Sequence, residues 1–277
     1  MVSSGGDISP THIVPPLKWA GGKRWFVARH LDLVPDKFNR YIEPFVGSAA
    51  MFFALAPSRA LLSDLNPELI NVYRVIRDSP VELMELLAQH ARKHSTEYYY
   101  RIRSMRTRTP LTGAARLIYL NRTCWNGLYR VNRAGRFNVP IGTKSSVLLE
   151  SDDFIRLSGL LKDVDLRVSD FEDALNELGE GDFAFVDPPY TVAHNNNGFI
   201  KYNQTLFSWE DQIRLRRAVG SAVARGAYVL VTNAAHDSIY DLYEPFERLS
   251  VSRAGVIAGD RSARGTFNEM VIRCFPV

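Results

Sequence analysis

Cysteine, paired histidine and long apolar runs are all scarce in this 277-residue chain. The two cysteines, Cys124 and Cys274, are too few and too far apart for a disulfide framework or a zinc site. Six scattered histidines add no pair at metal-ligand spacing, which argues against a zinc deaminase or a nuclease. No apolar run approaches the roughly 20 residues of a membrane span. We therefore expect a protein of a reducing cytoplasm, with no metal and no membrane association.

The composition is that of an ordinary folded protein. Hydrophobic residues make up 46% and charged residues 23% of the sequence, so a sizeable core can form and general disorder is not expected. The length suits one α/β core with an insertion. Residues 1–11 are small and polar and lack the basic-then-apolar pattern of a signal peptide, so we expect residues 1–12 to form a loose tail.

Positive charge is concentrated in one segment. Residues 92–144 hold twelve Lys or Arg and a single acid, Glu97, whereas the remaining sequence holds 22 basic and 29 acidic residues. A basic segment on an acidic body indicates a polyanion-binding surface, but a solvated helix face would show the same pattern. Charge alone therefore leaves nucleic-acid binding as one of two interpretations.

The pattern of apolar residues predicts strands that alternate with helices. Strands are expected over residues 40–46, 60–63, 165–169, 182–186, 228–232, 246–252 and 269–275. Helices are expected between them over residues 48–56, 68–77, 171–178 and 209–225. A Gly- and Arg-rich loop joins the last two strands. This alternation predicts an α/β fold with a largely parallel sheet.

The middle of the chain has a different pattern. Helices are predicted over residues 81–94, 98–106 and 112–124, followed by a hairpin or extended loop rich in Asn, Gly, Arg and aromatic residues over 125–140. We interpret residues 71–150 as an inserted, mainly helical subdomain. Residues 1–70 and 151–277 then form the core.

The first segment with chemical meaning is Phe45-Val46-Gly47, which follows a predicted strand. A glycine at a strand-to-helix turn lets the backbone approach a bound cofactor closely. Asp64 ends the next strand, where a carboxylate can accept both ribose hydroxyls of a nucleoside. The single glycine does not fit the Gly-x-Gly-x-x-Gly pattern, which argues against NAD. A tight turn followed by a helix cap remains the alternative.

The second segment is Asp187-Pro188-Pro189-Tyr190, at the end of an apolar strand. Two prolines stop the strand and donate no hydrogen bonds, so nearby carbonyls stay available as acceptors. Asp187 and the Pro188 carbonyl could together accept both protons of an exocyclic NH2 group, and Tyr190 could stack on the ring that carries it. The tetrad therefore predicts chemistry on a planar amine, with a plain Asp-Pro turn as the alternative.

The third segment is Lys18-Trp19-Ala20-Gly21-Gly22-Lys23. Two glycines between a Trp and a Lys predict a flexible, exposed loop. Trp19 could contact an adenine or a sulfonium group, and Lys23 a carboxylate. A buried structural Trp is the alternative.

In this order, the three segments resemble the Dam-type (D12 class) family of DNA adenine-N6 methyltransferases. The resemblance runs from about Leu17 to Phe275. It also includes Glu43-Pro44, Asp64-Leu65-Asn66, Asn126-Gly127-Leu128-Tyr129-Arg130, Phe137-Asn138-Val139-Pro140 and Asp170-Phe171.

The resemblance implies a Rossmann-like, class I methyltransferase core with a mostly parallel seven-stranded sheet and an inserted target-recognition subdomain. It implies S-adenosylmethionine as cofactor, bound by Trp19, Lys23, Phe45, Gly47, Asp64, Asp170, Phe171 and Asp187. It assigns DNA contacts to Lys18, Asn126, Leu128 and Arg130, and catalysis to Asp187, Pro188 and Tyr190. The implied partners are double-stranded DNA and a cognate restriction endonuclease, and the chain is expected to be a monomer or weak dimer.

The implied reaction is methyl transfer to adenine N6 by base flipping and direct in-line displacement, at a GATC-like site. Two departures from the family pattern bear on this expectation. Ser48-Ala49 stands where many relatives carry a second glycine, and Trp125 replaces a smaller aromatic residue in the recognition loop.

Three alternatives remain open from sequence. The first is methylation of cytosine N4, because the same tetrad chemistry serves both exocyclic amines. The second is methylation of RNA or of protein glutamine, against which Asp187 argues, because relatives with that activity usually carry Asn at this position. A catalytically inactive DNA-binding module is the third alternative, against which the complete set of motifs argues.

Overall fold

The computed structural model describes residues 13–132, 134–193, 207–254 and 266–276. Within these ranges the strands are β1 Tyr41–Glu43, β2 Ala60–Asp64, β3 Val164–Val168, β4 Phe183–Val186, β5 Tyr228–Ala234, β6 Glu247–Ala254 and β7 Thr266–Arg273. The α-helices are α1 Arg24–Val27, α2 Ala50–Leu55, α3 Pro67–Asp78, α4 Pro80–Lys93, α5 Thr96–Ser104, α6 Pro110–Thr123, α7 Phe154–Leu161, α8 Phe171–Asn176, α9 Trp209–Ala224 and α10 Asp237–Leu242.

The strands form one seven-stranded sheet in the order β3-β2-β1-β4-β5-β7-β6. β1 is parallel to β2 and β4, and β4 is parallel to β5, whereas β7 runs antiparallel to both β5 and β6. All four residues of β4 are buried, as expected for an apolar strand in the middle of a parallel sheet. The predicted α/β class and mostly parallel seven-stranded sheet are confirmed.

Some predicted boundaries were wrong for identifiable reasons. The strand predicted over residues 40–46 ends at Glu43, because Pro44 has no N–H with which to continue a ladder. The helix predicted from residue 48 begins only at Ala50, because Ala49 adopts a left-handed conformation with φ 55°. α1, α7 and α10 were not predicted at all. The predicted loose tail and the Gly- and Arg-rich loop lie outside the described residues.

The chain divides into two compact units. The second unit consists of Ala28–Val46, Arg59–Leu65 and Ser169–Val277, and it contains six of the seven strands. Its core packs apolar side chains of β1, β2, β4, β5 and β7 against α8 and α9, with Ile42, Val186, Leu215, Val231 and Ile272 all at 2% exposure or less. The acidic residues that end β1 and β2 and follow β4 are therefore held by well-packed strands.

The first unit consists of Met1–Val27, Gly47–Ser58 and Asn66–Val168. Here α6 packs against α3, α4 and α5, and α7 packs against α3 and α4. α6 is buried almost all round, from Ala114 to Thr123, as expected for a central helix. The segment 71–150 is mainly helical, as predicted. Its role and limits as a target-recognition subdomain stay a prediction.

Two arginines of the basic segment serve the interior of this unit. Arg116 donates to the carbonyls of Ile102 and Arg103 at the end of α5, at 2.9 and 2.7 Å. Arg122 makes a two-pronged ion pair with Asp152, at 2.6 and 2.7 Å, and also donates to backbone carbonyls. The basic segment is thus partly structural, and its exposed members carry the argument for a polyanion surface.

No helix among the described residues has the length and hydrophobicity needed to cross a bilayer. Nor do three or more His, Cys, Asp or Glu side chains among these residues gather at a possible metal site.

Candidate active site

Three acidic residues lie at one edge of the sheet in the second unit. Asp64 is the last residue of β2, Glu43 is the last residue of β1, and Asp187 directly follows β4. Because these neighbouring strands are parallel, their carboxyl ends lie along the same edge. Open α/β sheets bind ligands at this edge. The topology therefore brings predicted site residues that are far apart in sequence to one side of the molecule's second unit.

Two residues of the tetrad are fixed by side chains from other strands. The hydroxyl of Thr232, in β5, donates to Asp187 Oδ1 at 2.7 Å. The hydroxyl of Tyr190 donates to Glu269 Oε2, in β7, at 2.7 Å. Burial and the nearby carboxylates of Asp187 and Glu269 raise the pKa of Tyr190 well above its usual value of 10, so the phenol stays protonated. The tetrad presents an oriented carboxylate beside an oriented aromatic ring.

The backbone of the tetrad is also fixed by a hydrogen bond from α9. The buried side chain of Gln212, in α9, donates from Nε2 to the Pro189 carbonyl at 3.4 Å. Its Oε1 accepts from Asn233, another fully buried amide, at 3.0 Å. Paired buried amides avoid the cost of unsatisfied polar groups. These two hydrogen bonds therefore fix the backbone of the turn that follows β4.

An aromatic cluster surrounds Phe171 in the same unit. Phe45 stacks on Phe171, with ring centroids 5.5 Å apart, and Phe207 packs on both rings. The guanidinium of Arg214 lies 4.6 Å from the Phe171 ring centroid. Arg214 Nη2 also donates to both carboxylate oxygens of Asp170 at 2.8 Å, and Asp170 caps α8 by accepting from the Glu172 N–H. Phe45, Asp170 and Phe171 are thus brought together.

In the first unit, Trp19 packs against Tyr129 and Gly47. The rings of Trp19 and Tyr129 are stacked, with centroids 4.9 Å apart, and the Tyr129 hydroxyl donates to Glu68 at 2.9 Å. Gly47 has φ 45°, and a Cβ there would lie 3.0 Å from Trp19 Cδ1. Tyr73 donates to the Gly47 carbonyl at 2.6 Å. Only glycine fits this position without strain.

Lys23 is nearly buried, at 3% exposure, and its Nζ donates to the Gly21 carbonyl at 2.9 Å. The predicted flexible, exposed loop is therefore only half correct. Gly21 is exposed and adopts a positive φ, whereas Lys23, two residues later, is buried and directly precedes α1.

The predicted DNA-contacting residues cluster around the loop after α6. The buried side chain of Asn121 accepts from the Lys18 N–H at 2.9 Å and donates to the carbonyls of Lys18 and Gly127 at 2.8 and 3.2 Å. The Lys18 ammonium donates to the Asn126 carbonyl. The N-terminal segment and the loop are therefore locked together within this unit.

The loop itself is a hairpin-like turn held by two isolated bridges, Cys124 with Ile141 and Val131 with Phe137. Asn126 is exposed near the base of the loop, two residues after Cys124, in a left-handed conformation with φ 56°. Leu128 is half-buried, and Arg130 is exposed with its Nε donating to Asn138 Oδ1 at 2.9 Å.

Several residues of the site were not found from sequence: Thr232, Gln212, Glu269, Asn121 and Arg214. Each acts on a motif residue from 20 or more positions away in sequence, and none belongs to a recognisable local motif. The one available signal was a polar residue inside an apolar strand, as for Thr232 in β5 and Glu269 in β7.

A seven-stranded, mostly parallel sheet with an Asp-Pro-Pro-Tyr tetrad after β4 defines the class: a methyltransferase of Rossmann-like fold, acting on an amino group. Comparison with known proteins gives the family. The model of the D12 class N6 adenine-specific DNA methyltransferases matches residues 19–257. The chain belongs to this family and is an adenine-specific DNA methyltransferase. Members of the family use S-adenosylmethionine as methyl donor.

Curated relatives match nearly the whole chain. Type II methyltransferase M1.LlaDCHI of Lactococcus lactis subsp. cremoris is 36% identical over 93% of this chain and 94% of its own length. Type II methyltransferase M.MjaIII of Methanocaldococcus jannaschii is 31% identical over 94% of this chain and 99% of its own length. DNA adenine methylase of Escherichia coli K12 is 28% identical over 80% of this chain and 81% of its own length. The family expected from the motifs is confirmed, and the base is adenine rather than cytosine.

Proposed function

We propose that this enzyme methylates adenine N6 at a specific site in duplex DNA, after rotating the target base out of the helix. The observation that carries the proposal is the fixed tetrad: Asp187 is oriented by Thr232 and Tyr190 by Glu269 at the ligand-binding edge of the sheet. N6 is engaged in the base pair, so the base must leave the stack before it can reach such a site, at a cost of a few kcal/mol.

The residues present fit the methyl donor. A Cβ at Gly47 would lie 3.0 Å from Trp19 Cδ1, so the glycine lets the Trp19 ring lie close to the backbone of the turn where we propose that the cofactor binds. We propose that Asp64 accepts the ribose hydroxyls, that Trp19 contacts the adenine or the sulfonium, and that Lys23 pairs with the carboxylate. Phe45 and Phe171 offer an aromatic surface. We propose that Asp170 also lines the cofactor site beside Phe171, with its carboxylate held by Arg214 and by the first turn of α8.

When bound, S-adenosylmethionine supplies a methyl group on a positively charged sulfur. Asp187 and the Pro188 carbonyl accept hydrogen bonds from the two N6–H groups, which orients the nitrogen lone pair for direct in-line attack, and Tyr190 lies against the adenine ring. Fixing the reactants at near-attack distance can contribute roughly 7–11 kcal/mol. Burial raises the pKa of the Cys124 and Cys274 thiols to about 11 and about 12, so neither supplies a nucleophilic thiolate.

For DNA recognition we propose the loop after α6. Asn126 or Leu128 fills the space left by the flipped base, and Lys18 and Arg130 contact base edges. A bidentate arginine contact to guanine contributes about 1–3 kcal/mol of discrimination. We propose a GATC-like site, with exposed Trp125 at the loop as the feature that could shift it. The Type II names of two relatives support a restriction endonuclease as cellular partner.

The decisive experiment is to methylate an unmodified plasmid with purified protein and map modified bases by single-molecule sequencing. We expect N6-methyladenine at one short motif. Methylation spread over adenines of every context, or modified protein or RNA without modified DNA, would overturn the proposal of site-specific DNA methylation.

Replacing the exposed arginines one at a time separates base readout from phosphate binding. Arg130→Ala is expected to relax specificity at one base pair, with discrimination falling about tenfold or more. Arg101→Ala, at an exposed position of α5, is expected to weaken binding to all duplexes alike and to reduce the slope of affinity against salt by about one. Methylation maps and binding titrations at several salt concentrations measure both effects. Identical maps and salt slopes for the two variants would contradict the assignment.

A further inference from the structure

Glu269 is a carboxylate in an unusual place. It lies in β7, opposite Ala234 of β5 and Val251 of β6, and only 4% of it is exposed. Acidic side chains are seldom buried in a sheet, because removing a carboxylate from water costs far more than burying an apolar residue. A buried glutamate between two strands therefore indicates a specific task.

The contact of Glu269 points to that task. Its Oε2 accepts the Tyr190 hydroxyl at 2.7 Å, a distance typical of a charge-assisted hydrogen bond. Tyr190 is the last residue of the tetrad, and its raised pKa keeps the phenol protonated and able to donate. A ring held at its far end by such a bond has one orientation instead of several.

We propose that Glu269 is a positioning residue for the methyl transfer. It holds the Tyr190 ring in the orientation that receives the target adenine, as Thr232 holds Asp187 from the adjacent strand. The inference rests on the proposed function, in which Tyr190 contacts the base. Fixing a side chain before the substrate arrives removes its ordering cost from the reaction.

Four variants of the full-length enzyme test the proposal: Glu269→Leu, Glu269→Gln, Tyr190→Phe and the double variant Glu269→Leu/Tyr190→Phe. The readouts are the single-turnover methylation rate on a duplex oligonucleotide, duplex binding, and S-adenosylmethionine binding by calorimetry. We expect Glu269→Leu and Tyr190→Phe each to lower the rate about tenfold or more, with both binding constants unchanged. Glu269→Gln can still accept the bond and is expected to stay within about threefold of the wild-type rate.

The double variant decides between positioning and a purely structural role. If Glu269 acts through the Tyr190 hydroxyl, the double variant is no slower than either single variant. Additive losses, or a wild-type rate for Tyr190→Phe, would overturn the inference. If Glu269→Leu does not fold, the methylation rate of Tyr190→Phe still tests the positioning role. An inactive Asp187→Ala beside a fully active Tyr190→Phe would refute the positioning role while the proposed function stands, whereas a fully active Asp187→Ala would refute the proposed function itself.

Discussion

Replacing Asp187 with alanine is expected to lower the methyl-transfer rate by about a thousandfold or more, while duplex DNA still binds. The carboxylate is fixed at the end of β4 by the Thr232 hydroxyl, and we propose that there it accepts a hydrogen bond from the reacting amine. Its removal leaves N6 without an acceptor that orients the lone pair. A positioned acid or base that transfers a proton contributes roughly 10²–10⁴-fold in enzymes, and the orientation of the lone pair by the Asp187 hydrogen bond adds to that. Single-turnover rates and gel-shift titrations measure the two effects separately.

The same strand offers a matched control. Asp182 immediately precedes β4, and its carboxylate accepts only a turn hydrogen bond from the Gly179 N–H among the contacts seen. Asp182→Ala therefore removes the same group from the opposite end of β4 and is expected to keep the wild-type rate within about threefold. Equal losses for both variants would show that β4 had been destabilised, and normal turnover by Asp187→Ala would refute the catalytic assignment.

Replacing Gly47 with valine is expected to weaken S-adenosylmethionine binding by more than about tenfold. Gly47 has a left-handed backbone, which costs a non-glycine residue roughly 1–2 kcal/mol. An added Cβ would also lie 3.0 Å from Trp19, which is stacked on Tyr129 and cannot move away freely. The substitution therefore displaces the Trp19 ring that we assign to the cofactor. Calorimetry without DNA measures the affinity.

Gly135 supplies the control for backbone strain. It also has a left-handed backbone, with φ 69°, but an added Cβ there meets nothing within 4 Å. Gly135→Ala is expected to lower stability slightly and to leave cofactor affinity unchanged. If Gly47→Val binds the cofactor as tightly as Gly135→Ala does, the assignment of Trp19 and Gly47 to the cofactor is wrong.

Much of the fold was predictable because its signals are local. β4 is a continuous apolar run that ends at an Asp-Pro pair, and α9 has helical periodicity with a capping box at Ser208 and Asp211. Where the prediction missed, the signal was weak or conformational. α7 is only eight residues long and contains a glycine, and the late start of α2 depends on the left-handed backbone at Ala49.

The candidate site was predictable only in part. Asp187, Tyr190, Gly47 and Trp19 stand in short motifs whose chemistry can be argued from residue type. Their supporting residues could not be found this way, because a hydrogen bond between Tyr190 and Glu269 joins positions 79 residues apart. Sequence order carries no information on which polar side chain of β7 meets which residue of the tetrad.

By itself the sequence determined the α/β class, the order of the motifs and the family, because these depend on local periodicity and on the residue types at a few turns. The tertiary structure decided how the motif residues are held. Parallel strands brought Asp64 and Asp187 to one edge of the sheet, and the pairing of β5 with β7 set Thr232 and Glu269 against the tetrad. Such long-range contacts follow from strand register and packing, which a local pattern does not specify.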